Sequence, residues 1–94
     1  MTATHSERER FIAEIIRRAP AADLYAATRL MRYSSTIHRL SNQHPLTFAE
    51  ERKLERVSLK ARDLAFDVRC TAKIENGTLS ILLPDKTMLF VPRI

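Results

Sequence analysis

One cysteine, one glycine and no tryptophan occur in the 94 residues of this chain, and each scarcity excludes something. A lone Cys70 cannot close an internal disulfide and leaves no cysteine cluster for a structural zinc. His5, His38 and His44 share no ligand spacing, so no metal is expected. A single glycine, Gly77, removes the glycine-rich loops that cradle phosphates and the Gly-x-Ser-x-Gly elbow of serine hydrolases. No apolar run exceeds five residues, too short to span a bilayer. The opening Met1-Thr2-Ala3-Thr4-His5-Ser6-Glu7 lacks the apolar stretch of an export signal. A cytoplasmic address and no membrane partner are the resulting expectations.

What is present describes one small globular domain, residues 1–94. Apolar residues make up 45% and charged residues 29%, enough of the former to build one core. The pattern predicts an α+β fold, three helices packed on a three-stranded antiparallel meander. Ser6-Glu7-Arg8-Glu9 fits a capping box and starts a helix over about 6–19. Its apolar stripe is Phe11, Ile12, Ile15, Ile16 and Ala19, and Pro20 ends it. Asp23 begins a second helix over about 23–42, with a seam of Ala26, Leu30, Tyr33, Ile37 and Leu40 widened by Leu24 and Met31. His38 falls at the rim of that seam. Thr47-Phe48-Ala49-Glu50 is another capping box, opening a third helix over about 48–66. Its buried face is Leu54, Val57, Ser58, Ala61, Leu64, Ala65 and Val68, and its other face is charged and solvated.

Beyond Asp67 the period becomes two: Val68, Cys70, Ala72 and Ile74 alternate with polar residues, which predicts a strand over 68–75. Asn76-Gly77 is the signal for a two-residue hairpin turn with positive φ at the glycine. Counting back from it pairs Ile74 with Leu79, Ala72 with Ile81 and Cys70 with Leu83. Pro84-Asp85-Lys86 marks a second turn, so further strands are expected over 78–83 and 87–91, with Pro92 as the stop.

Chemistry finds little purchase. Ser34, Ser35 and Cys70 are the available nucleophiles, and none lies in a catalytic motif. Glu50 and Glu51 occupy a first helical turn, where carboxylates complement the dipole. No catalytic residue, cofactor or enzymatic activity is therefore expected. The informative feature is the net charge of +5 and its placement. Residues 24–49 contain no acid, yet carry Arg29, Arg32 and Arg39. With Thr36 these step 29, 32, 36, 39, the spacing of one helix face. Arg17 and Arg18 end the first helix and are expected to add to the same side. Twelve arginines against four lysines suit bidentate contacts to carboxylate or phosphate. The expected partner is an acidic protein surface or a ribonucleoprotein or other nucleic-acid-bound complex. The alternatives are a small basic regulator that binds DNA directly, for which the 19–22 connection allows a helix-turn-helix, and a subunit that forms a homodimer through its seam or its third strand.

The run Leu30-Met31-Arg32-Tyr33-Ser34-Ser35-Thr36-Ile37-His38-Arg39-Leu40, followed by a charged helix and a hairpin with Leu82-Leu83-Pro84-Asp85-Lys86, resembles short proteins of phages and prophages in proteobacteria. The resemblance covers residues 30–90 and departs at Glu75-Asn76-Gly77, where a turn richer in glycine is expected. It implies a mobile-element setting, where small non-enzymatic proteins inhibit or modulate a larger host machine, defence complexes included. Anti-CRISPR proteins are similar in size and in their lack of motifs.

Overall fold

The computed structural model describes residues 4–94. Residues 1–3, the start of the stretch read for an export signal, lie outside the described residues. Helices α1 (His5–Arg18), α2 (Leu24–Ser41) and α3 (Phe48–Asp67) precede strands β1 (Thr71–Glu75), β2 (Thr78–Leu82) and β3 (Met88–Phe90). The strands form one antiparallel sheet in the order β1-β2-β3, so the expected α+β architecture is the observed one. The helices make a single layer on one face of the sheet. The middle helix α2 packs on β2, α3 on β1 and α1 on β3.

The helix starts follow from local hydrogen bonds. Asp23 accepts the Ala26 N–H at 2.8 Å. Thr47 and Glu50 complete both halves of their capping box, at 3.2 and 3.0 Å. The first helix begins earlier than Ser6: the Thr4 hydroxyl accepts the Glu7 N–H at 3.1 Å. Thr4-x-x-Glu7 fits the same pattern as Ser6-x-x-Glu9, and the earlier start brings His5 to within 2.5 Å of Glu9.

The core is one cluster around α2, whose Ala27, Leu30 and Ile37 are fully buried with Ile15 of α1, Ala61 and Ala65 of α3, and Leu79 and Ile81 of β2. Two residues assigned to apolar stripes are exposed instead, Ile16 at 40% and Leu24 at 59%. Both lie on helix flanks that no neighbouring element covers.

The sheet register matches the count from the turn, with Ile74 opposite Leu79 and Ala72 opposite Ile81. Cys70 does not extend that ladder. Val68 caps α3, Arg69 takes φ 64°, and the Cys70 N–H bonds the Ala65 carbonyl at 2.7 Å while the Arg69 N–H bonds that of Phe66 at 3.0 Å. This pair of bonds is a Schellman cap, and the buried Ala65 and Cys70 supply its apolar contact. The strand therefore opens at Thr71. The alternation at 68 and 70 misled because Val68 also continues the helical stripe, and no glycine marks the cap.

Asn76 at φ 51° and Gly77 at φ 75° make the primed turn that suits a twisted hairpin. A Cβ on Gly77 would stand 2.8 Å from the Ser41 Cβ, so the turn is tucked against the end of α2. The chain end is held by the same helix. The Ser34 hydroxyl, buried, donates to the Val91 carbonyl at 2.8 Å, and the Ile94 N–H donates to the Ser35 hydroxyl at 2.7 Å.

Gly77→Val is expected to cost at least ~1 kcal/mol for positive φ alone, before the contact with Ser41. Circular dichroism should show Tm lowered by about 4–8 °C per kcal/mol in a domain of this size; an unchanged Tm would displace the hairpin from this position. Arg69→Gly should act oppositely. Relief of a left-handed arginine, roughly 1–2 kcal/mol, exceeds the added unfolded-state entropy of glycine, roughly 0.5–1 kcal/mol. Tm should rise by a few degrees, and a fall would contradict the cap.

Candidate functional site

The apolar side of α2 faces the sheet, and its opposite side faces solvent. Arg32 and Arg39 stand on that outward side, both exposed, with Thr36 half-buried between them. They are seven residues apart, two helical turns or ~10.5 Å along the axis. None of the ion pairs among the described residues uses Arg29, Arg32 or Arg39. Arg39 feels the charge of Glu50. The Glu50 pKa is lowered chiefly by the Thr47 N–H, then by the Gln43 amide, with a smaller contribution from the charge on Arg39.

Arg29 is set apart from that pair. Its guanidinium lies between the rings of Tyr25 and Tyr33, 5.8 and 5.2 Å from their centroids. One Nη donates to the Tyr33 hydroxyl at 2.7 Å, which raises the arginine pKa further. The tyrosines sit four residues before and four after Arg29, so all three share one helical strip. That strip borders a shallow groove whose other wall is Lys60, Asp63 and Asp67 of α3. Arg29 thus belongs with Tyr25 and Tyr33 and not, as its helical spacing suggests, with Arg32 and Arg39; the Tyr-x-x-x-Arg-x-x-x-Tyr spacing is its signal in the sequence.

Arg18 does not join the α2 face, and Arg17 is paired within its own helix. Arg17 bonds Glu14 at 2.8 Å. Arg18, half-buried, reaches Glu14 at 3.4 Å, Asp85 at 3.2 Å and the Thr87 hydroxyl. It clamps the end of α1 to the β2–β3 turn. Asp85 is drawn below its usual pKa first by the Thr87 hydroxyl and N–H and then by Arg18. An arginine with three internal partners is a fastening of the fold.

The two flanking helices make the outward side of α2 part of a broad face. A layer of three adjacent helices does not project its middle member the way a groove-reading helix projects. Ser34 and Ser35 are engaged with the C-terminal segment, so neither is a poised nucleophile. Cys70 is buried, and burial alone pushes its thiol pKa up, the reverse of what activates a cysteine. Among the described residues no three His, Cys, Asp or Glu side chains gather where a metal could be held. Nor is any described helix long and apolar enough to cross a membrane. Compared with protein-family models, curated proteins and solved structures, the chain matches none.

The buried, protonated Cys70 should react with a thiol reagent slowly in native buffer at neutral pH and quickly in denaturant. Labelling at the rate of a free thiol in the folded protein would contradict its place in the core.

Proposed function

We propose that this chain is a binding protein without chemistry of its own, which covers an acidic site on a larger protein or ribonucleoprotein assembly with the outward face of α2. The observation that carries this reading is the pair Arg32 and Arg39, exposed, two turns apart and in none of the ion pairs among the described residues. Arginine presents a rigid fork to carboxylates and is weakly hydrated, so it is less costly to bury at an interface than lysine. Arg29 and its two tyrosines stand beside the pair as a pre-ordered cluster of the residue types that dominate interface energetics. An arginine already stacked and hydrogen-bonded loses less side-chain freedom when a partner arrives.

The resemblance to phage and prophage proteins adds a setting to this reading: inhibition or modulation of a host machine, a defence complex included, by occlusion. Direct duplex binding is the competing mode. The breadth of the helix layer speaks against it, because an inserted helix needs clearance on both sides.

The two modes separate on one variant, Arg32→Glu with Arg39→Glu. In a lysate of a proteobacterial host, the parent chain should retain a saturable partner through nuclease treatment, and the double variant should lose it. The expected loss is about 1–3 kcal/mol for each arginine that meets a carboxylate at the centre of the contact. On naked duplex at physiological salt the parent should bind weakly. Micromolar duplex binding with a log–log salt slope near −1.8, about −0.9 for each of two phosphate contacts, would instead make the chain a DNA-binding regulator.

A further inference from the structure

A second surface lies where α1 runs alongside the edge strand β3. Its geometry follows from a mismatch of widths. Packed helices lie ~8–10 Å apart, whereas paired strands lie ~4.8 Å apart. With α2 seated on β2, α1 is carried roughly one strand width beyond β3. The space under that overhang is a groove with Phe11, Leu89, Phe90 and Pro92 along it and Glu7, Arg10 and Glu14 at its rim. Arg18 at the Thr87 end fixes α1 antiparallel to β3 and holds the groove at one end.

The edge itself is unpaired. The Leu83 N–H bonds the Thr87 carbonyl at 2.8 Å, and the Val91 N–H bonds that of Leu79 at 3.1 Å. By the alternation of an antiparallel ladder, residues 87, 89 and 91 turn their backbone groups toward β2, and Met88 and Phe90 turn theirs away. β3 is an edge of the three-stranded sheet, so the outward main-chain groups of Met88 and Phe90 face no further strand. Their side chains, on the sheet face opposite the helices, are about half exposed, 48% and 56%. Natural edges are usually blunted by charge, proline or cover, and β3 carries no charge at all.

We infer that this groove accepts an extended, uncharged segment of a partner protein, which adds to β3 as a fourth strand. Strand addition satisfies the backbone groups of Met88 and Phe90. Alternate side chains of the segment would enter between α1 and β3, over Phe11 and Leu89, and the others would lie beside Met88 and Phe90. The rim does not favour either sign of charge: Glu7 and Arg10 carry opposite charges, and Glu14 is already held by Arg17 and Arg18. A second copy of this chain does not fit. A two-fold pairing of β3 with its mate would bring two overhanging α1 helices into the space of one strand, well inside the 8–10 Å that packed helices need.

The test is selection of a displayed library of random heptapeptides on the immobilised full chain. Enriched sequences should alternate apolar, β-branched or aromatic residues and lack charge and proline at their centres. A synthetic peptide from that set should shift the Met88 and Phe90 amide resonances, and its affinity should be unchanged by Arg32→Glu. Met88→Pro removes an outward N–H and leaves the β2 ladder intact, so it should weaken binding at least tenfold. The peptide offers a control that does not depend on how that variant folds. N-methylation at alternate positions that donate to β3 should abolish binding, and at the intervening positions should not. No enrichment, equal effects of N-methylation at both sets of positions, or a dimer in sedimentation that Met88→Pro dissolves would overturn the inference.

Discussion

The apolar face of α2 is the constraint from which the remainder of the structure follows. Three other elements pack against α2: α1 on one side, α3 on the other and β2 beneath. Leu30 and Ile37 are wholly buried there, and the buried Ser34 hydroxyl uses the same face to hold the Val91 carbonyl. A helix so committed has one free side, and that side must stay soluble. The absence of any acid between residues 24 and 49 makes it basic as well as polar.

Turns in this chain are built almost without glycine, and that shapes its stability. Left-handed backbone occurs at Arg69, Asn76, Lys86 and Gly77, where only the last is free of the steric penalty on a Cβ. Asparagine tolerates the conformation better than most residues. Arg69 and Lys86 are held there by what surrounds them. The Schellman bonds to Ala65 and Phe66 fix Arg69, and the Lys86 N–H bond to Leu83 closes the turn that Arg18 grips through Asp85. Charge that looks like surface decoration in the sequence is thus partly spent on fastening secondary structure.

The two surfaces proposed for binding differ in chemistry because they differ in origin. The α2 face is the polar back of a buried helix, and its specificity rests on arginine geometry. The α1–β3 groove is a consequence of laying three helices over three strands, and its specificity rests on backbone hydrogen bonds. They are lined by different residues, so occupying one leaves the other open.

Periodicity and end signals determined the larger part of this fold by themselves. The caps at Asp23 and Thr47, the stop at Pro20, the turn at Asn76-Gly77 and the pairing of Ile74 with Leu79 rest on bonds between residues near in sequence. Tertiary structure decided what depends on distant neighbours. Arg18 left the expected basic face because Asp85 and Thr87, far along the chain, come within its reach. Arg29 turned toward α3 because Tyr33 and the helical hairpin offered it a ring and a hydroxyl. Ser34 and Ser35 became latches because the chain end returns to α2. The groove beside β3 has no local signature, since it exists only where the width of a helix layer exceeds that of a sheet.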